Sequence, residues 1–246
     1  MPGAGNDYYF AILQYMQYPV HMDQQPLQEA RRAAGLTQRE AARRLGVSQP
    51  YLSQLECGTR ALTPPIARKA ASLYGLSPTA LPLPESPGTA DADRLARDLA
   101  VLGYPRFAHM RGARPRNPAL VLFEGLARPE LDPRVLEALP WLIRTFPHLA
   151  WDWLLPRVKM VDLQNRLGFL VALACETAAA AGATDTVRKL AEIQAQLETS
   201  RLVREDLLGF DSMPQAERDY RRARRSPLAA HWNVLTTLTA DQLRDA

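Results

Sequence analysis

Apolar residues along the 246-residue chain recur at helical spacing, and nowhere do they alternate with polar residues over the length of a convincing strand. In the N-terminal third the periodic stretches are short and punctuated by glycine. Pro26 to Ala34 runs up to Gly35, Gln38 to Leu45 up to Gly46, Gln49 to Glu56 up to Gly58, and Pro64 to Tyr74 up to Gly75. Each glycine stands where a helix C-terminus takes a left-handed residue. With a short turn near Ser77 to Ala80, the pattern predicts five helices in one compact domain spanning residues 23–80. Residues 81–93, LPLPESPGTADAD, concentrate proline and small polar residues and read as an interdomain linker.

From residue 94 to residue 246 the chain stays helical without a clean internal repeat. Leu95, Leu99 and Leu102 share one face, as do Val135, Leu139 and Leu142. The stretch LGFLVALAC, residues 167–175, is apolar on all sides and reads as a buried central helix. Asp185 to Ser200 is amphipathic, with Leu190, Ile193 and Leu197 at core spacing. The expected fold class is all-α, with a larger helical C-terminal domain following the small N-terminal one. Residues 1–22 are aromatic and nearly uncharged; they read as an arm packed on the body or on a second subunit, or as an upstream extension, since Met22 stands just before the helical domain.

Charge sharpens this division. The net charge of +4 is mild, but residues 22–84 carry eight Arg/Lys against four Asp/Glu, whereas the rest of the chain is close to neutral. The excess therefore sits on the short segment of small helices, as expected of a surface that meets nucleic acid. Cys57 and Cys175 have no close Cys/His spacing, so neither a disulfide framework nor a zinc site is indicated. The apolar stretches are too short to span a bilayer and the N-terminus lacks the pattern of a signal peptide, which together predict a cytoplasmic protein away from the membrane.

The segment LTQREAARRLGVSQPYLSQLECGTRAL, residues 36–62, carries the functional signal. Thr37 with Glu40 three residues later forms a capping box that starts a helix at Gln38. Ala41, Ala42 and Leu45 form its inner face, small enough for the next helix to approach closely. Gly46 and Val47 make a turn too short for antiparallel helices, and Ser48 caps the following helix. There Leu52 and Leu55 face inward and leave Gln49, Ser53 and Gln54 outward, a polar surface of amides and a hydroxyl suited to base edges and phosphates.

These residues, with TQREAARRLGVS, the QLECG ending and the proline-started helix after it, resemble the Cro/C1-type (XRE) helix-turn-helix regulators over residues 26–80. The resemblance implies a five-helix, lambda-repressor-like DNA-binding domain with Gln49–Glu56 as the recognition helix. By position it implies that Gln38 clamps a phosphate, that Gln49, Ser53 and Gln54 read bases, and that Tyr51 and Arg60 contact the backbone, with Ser48 at the helix start. It also implies that Glu56 pairs with Arg31 as a structural lock. Pro50 departs from the pattern: it removes an amide and offers no hydrogen bond, so readout there is apolar, against a thymine methyl, or absent.

Other candidates read more plainly. His21, His109, His148 and His231 lie on separate segments with no ligand partner at hand, and Asp152, Asp162 and Glu176 have neither a paired nucleophile nor a phosphate-binding loop. No metal, cofactor or catalytic site is implied. Trp141, Trp151, Trp153 and Phe146 gather around Pro147 and read first as core, with a ligand pocket or dimer seam as the alternative. The run RRARR, residues 221–225, reads first as a solvated helix end and second as extra phosphate contacts. The expected function is a sequence-specific regulator, in the simplest form a repressor binding double-stranded operator DNA as a homodimer through its C-terminal domain. That domain leaves room for a protein partner or a small effector, and the competing expectation is the DNA-binding antitoxin of a toxin–antitoxin or phage-defence operon.

Overall fold

The computed structural model describes residues 25–88, 90–110 and 114–243, and the expectations for residues 1–22 lie outside them. The chain divides into two compact units between Ser86 and Pro87.

The N-terminal unit holds helices α1 (Gln25–Ala33), α2 (Gln38–Leu45), α3 (Gln49–Glu56) and α4 (Pro64–Tyr74), followed by a 3₁₀ turn at Pro78–Ala80. Local chemistry sets each boundary. The Thr37 hydroxyl accepts from the Glu40 amide at 3.2 Å while the Glu40 carboxylate accepts from the Thr37 amide at 3.0 Å, so both ends of the capping box are closed. Gly46, at φ +76°, lets its own amide and that of Val47 turn back onto α2, and the chain enters α3 within two residues. Ser48 caps α3 through the Tyr51 amide at 3.3 Å. Leu27, Ala41, Ala42, Leu45, Leu52 and Leu55 form the buried centre, closed by Ala70 and Tyr74 of α4. Two alanines in succession on α2 let α3 lie close against it, which holds the α2–turn–α3 corner at one geometry.

The C-terminal unit holds α5 (Ala92–Val101), α6 (Pro118–Ala127), α7 (Pro133–Thr145), α8 (Trp151–Met160), α9 (Gln164–Ala180), α10 (Thr184–Glu198), α11 (Gln215–Arg224) and α12 (Pro227–His231). Helix α5 begins inside the proline-rich segment of the sequence, where the Asp91 carboxylate accepts from the Arg94 amide at 2.6 Å. Leu95 and Leu99 of α5 are fully buried, as are Leu139 and Leu142 of α7, while Leu190, Ile193 and Leu197 are the buried residues of α10. Helix α9 is buried from Gln164 to Ala174 and is the axis of the unit.

The first turn of α9 is polar and nonetheless buried, because Gln164, Asn165 and Arg166 fasten the segment that follows α10. Asn165 donates to the Leu202 carbonyl at 2.9 Å and accepts from the Leu202 amide at 2.8 Å, a side chain imitating a strand neighbour. Arg166 binds both carboxylate oxygens of Asp206, at 3.0 and 2.9 Å, and donates to the Leu126 carbonyl at 3.1 Å and to Asp211 at 3.2 Å. Burial opposes its charge, but the two aspartates hold the guanidinium protonated above the usual arginine range. The fastened segment forms a two-residue parallel pair, β1 (Asp206–Leu207) with β2 (Val234–Leu235), in the register Asp206 to Val234. This small ladder and an isolated antiparallel bridge between Glu130 and Phe210 depart from the helical pattern among the described residues, and both are too short to leave an alternation in the sequence.

The tryptophans go to different neighbourhoods. Trp141 packs 5.1 Å from the Tyr104 ring, the Trp151 indole donates to the Pro147 carbonyl at 2.9 Å, and Trp153 lies 6.1 Å from Phe123 with the Arg157 guanidinium 4.5 Å from its face. Residues two apart on a helix point to nearly opposite sides, so Trp151 and Trp153 cannot line one surface. Among the described residues no helix is long and apolar enough to cross a membrane, and no group of acidic, His or Cys side chains is placed to hold a metal ion.

Trp232, fully buried, lies against Gly168 of α9, where an added Cβ would meet the indole at 2.2 Å. Alanine gains about 1 kcal/mol over glycine in a helix, but overpacking a rigid buried ring costs about 1–3 kcal/mol. Gly168→Ala is therefore expected to lower the stability of the protein despite the better helix former, read as a reduced urea midpoint. A raised midpoint would mean that Trp232 does not pack on α9.

Candidate nucleic-acid interface

Helix α3 divides its residues by angle. At about 100° per residue, Leu52, Leu55 and Glu56 turn inward and are buried, while Gln49, Pro50 and Gln54 are exposed and Ser53 is half-buried beside them. Ser48 and Arg60 flank this face and are exposed, and Tyr51 lies half-buried at its edge.

Beneath it lies a chain of hydrogen bonds that begins in the core. Arg31 of α1 donates from Nε to Glu56 Oε1 at 2.7 Å and from a terminal nitrogen to Glu56 Oε2 at 3.1 Å, with its other terminal nitrogen on the Leu36 carbonyl at 2.8 Å. This is the bidentate geometry that an arginine and a carboxylate favour. The hydrogen bond to Glu56 raises the Arg31 guanidinium above its usual pKa, against the opposing effect of burial. Burial pushes the hydroxyl of Tyr74 up, and the negative charge of Glu56 adds to it. Gln38 of α2 donates to the same Glu56 Oε2 at 3.1 Å, and its carbonyl oxygen accepts from Gln49 of α3 at 2.5 Å. The structure thus brings together four of the site residues named from sequence, Arg31, Gln38, Gln49 and Glu56. The link between Gln38 and Gln49 carried no sequence signal, because it joins residues on two helices whose packing alone sets the distance.

Amide donors are unevenly distributed between the two helix starts. In α3, Pro50 has no amide hydrogen and that of Tyr51 is occupied by Ser48. In α2 the Glu40 amide is occupied by Thr37, while Gln38 and Arg39 hold the first two positions of the helix. The carboxyl of Glu40 is held below its usual range, chiefly by the Thr37 hydroxyl and then by the Thr37 amide.

After α3 the chain turns through Gly58, at φ +77°, and folds back so that the Thr59 hydroxyl and the Arg60 amide both donate to the Gln54 carbonyl, at 3.2 and 3.3 Å. Arg60 then lies over the Tyr51 ring, its guanidinium carbon 4.7 Å from the centroid. Sequence reasoning placed both residues near the DNA backbone and did not foresee that they touch.

Charge compensation differs between the units. Among the described residues of the N-terminal unit, Arg31 is the one basic side chain in an ion pair, and Arg39, Arg43, Arg44 and Arg60 are exposed. In the C-terminal unit the basic run at the end of α11 is largely matched: Arg221 pairs with Glu217, Arg222 with Glu205 and Asp219, and Arg225, just past the helix, with Glu205, while Arg224 lies over the Tyr220 ring at 4.0 Å. That run is better suited to holding its own segment together than to gripping phosphates. His231 pairs with Glu198 at 2.8 Å, Asp162 with Arg204 at 3.2 Å, and Asp152 is exposed on the first turn of α8.

The helix-turn-helix family model, of the Cro/C1 type, matches residues 27–81, and the C-terminal region matches no family model. No curated protein and no solved structure shows a significant match to the chain.

The buried pair makes a direct prediction. Removing one partner of such a pair leaves an uncompensated charge and costs about 3–5 kcal/mol in deep sites; here Arg31 lies just under the surface of a small unit, so about 3 kcal/mol is expected for Glu56→Ala. Chemical denaturation of the full chain followed by circular dichroism measures it. A loss under about 0.5 kcal/mol, the range of an ordinary surface change, would show that the pair does not hold α1 to α3.

Proposed function

We propose that the chain, whose residues 27–81 match the helix-turn-helix family model, is a sequence-specific transcriptional repressor that binds operator DNA as a homodimer. The observation that carries this reading is the outward face of α3, whose Gln49 is held by hydrogen bonds running back to a buried ion pair, on the unit that bears the uncompensated positive charge. A recognition side chain that is already oriented loses less freedom on binding than a mobile one.

With one amide hydrogen committed to Gln38, Gln49 keeps a donor and its carbonyl acceptor, the pair that matches N7 and N6 of adenine in the major groove. Ser53 and Gln54 extend the contact along the groove. Pro50 meets its base pair through carbon atoms, which suits a thymine methyl. A phosphate is met by the first turn of α2, from the amides of Gln38 and Arg39, since α3 has few amides to give. Ser48 flanks the same strand. One such domain makes too few contacts for tight specific binding, so two copies are expected on half-sites about one helical turn apart, with the C-terminal unit joining them. On this reading the protein works inside the cell and is assigned neither a cofactor nor a catalytic role.

Genome-wide footprinting, together with light scattering of the free protein and its DNA complex, tests the reading. Paired half-sites and a dimer on DNA are expected; a monomer both free and on DNA would shift the role of the C-terminal unit to holding another protein. On the operator so found, Gln49→Ala is expected to weaken binding by about 1–3 kcal/mol while binding to random duplex stays nearly unchanged. Equal loss on both would remove Gln49 from base readout.

A further inference from the structure

We propose that Tyr51 is a positioning residue whose ring holds the Arg60 guanidinium ready for a DNA phosphate, and that its hydroxyl makes no essential contact with DNA. The inference rests on the reading of this unit as a DNA-binding domain.

Three features of the structure converge on it. Tyr51 is anchored: it is half-buried and packs against the core cluster of Leu52, Leu55 and their neighbours, so its ring is a fixed platform. Arg60 is presented at the platform, with its guanidinium carbon 4.7 Å from the ring centroid and its own amide tied to the Gln54 carbonyl. And no carboxylate claims it: Glu56, the acidic residue of α3, is committed to Arg31 and Gln38, and among the described residues Arg60 is in no ion pair.

The geometry of a guanidinium makes the stack productive. Its face is attracted to the ring, while its five N–H donors lie in its own plane and point outward from the edges. A stacked arginine therefore keeps its whole phosphate-binding fork, and the ring removes much of the side-chain freedom that would otherwise be lost when the phosphate is bound. Two residues named separately as backbone contacts become one device, with the aromatic ring as support and the cation as the contact.

The test is a double-mutant cycle in the full chain with a fluorescent 20-base-pair duplex of random sequence, since backbone contact needs no operator. Arg60→Ala is expected to lower affinity and to reduce the slope of log K against log salt by about one. Tyr51→Phe, which keeps the ring, is expected to bind as the unchanged protein does. Tyr51→Leu, which keeps an apolar anchor but removes the ring, is expected to weaken binding about two- to fivefold, yet to change it less than about twofold when Arg60 is already alanine. Independent of DNA, the Arg60 side-chain δ protons are expected upfield through the ring current, and to move to ordinary positions in Tyr51→Leu; this reports the stack even if a variant is less stable. Additive losses in the cycle, or a Tyr51→Phe variant as weak as Tyr51→Leu, would overturn the positioning role and leave the DNA-binding reading standing. Failure of the unchanged protein to bind any duplex would overturn both.

Discussion

A charged pair that has left water must be satisfied completely or it destabilises what surrounds it. In the N-terminal unit that requirement organises the candidate interface. Arg31 and Glu56 come from the first and third helices, and their bidentate contact aligns α1 with the end of α3. Glu56 also accepts from Gln38, and the Gln38 carbonyl oxygen accepts in turn from Gln49. A core constraint is thereby transmitted outward by three short hydrogen-bonded steps, until it fixes the orientation of an exposed amide. The apolar centre supplies the driving force for the unit, but Leu52 and Leu55 would pack equally well with Gln49 turned elsewhere. The polar chain is what distinguishes these arrangements.

The C-terminal unit uses the same device for a different purpose. Gln164, Asn165 and Arg166 begin a largely apolar helix, and each finds a partner in the segment from Ser200 to Asp211. An irregular segment carries backbone groups that must be paired when buried, and the side chains at the start of α9 provide those pairs. Trp232 then seals the same helix against the smallest residue available, Gly168. Two parallel strands of two residues each would have no stability alone; here they are held because Arg166 grips Asp206 at one end of the pair.

The two units also differ in how they spend their arginines. In the C-terminal unit Arg106, Arg116, Arg166 and Arg222 all end on carboxylates of their own unit, Arg116 bridging Asp98 and Glu124. In the N-terminal unit exposed arginines lie without such partners among the described residues, and one of them is stacked on an aromatic ring with its donors outward. Net charge registers the contrast only faintly, because most positive charge in the chain is cancelled locally. An uncancelled, pre-oriented cation is the feature relevant to a polyanion.

What was legible in the sequence is what short-range chemistry decides. The capping box of Thr37 and Glu40, the glycines at 35, 46, 58 and 75, and the helical spacing of Leu190, Ile193 and Leu197 each act within a few residues, so the order of letters alone specified the helices that carry them, with their ends or buried faces. The helix-turn-helix reading followed from such local signals set at the right separations. Contacts between elements far apart in the chain were decided by the tertiary structure. Gln38 reaches Gln49 across a corner whose angle depends on the packing of Ala41 and Ala42; Arg60 reaches Tyr51 because Gly58 turns the chain back; Arg166 reaches Asp206 across forty residues. Trp151 and Trp153 were separated because residues two apart on a helix point to nearly opposite sides, and Trp141 stands on a different helix. Periodicity reports which face of a helix is buried, but which partner meets that face depends on the relative placement of whole helices, and that is settled only when the core closes.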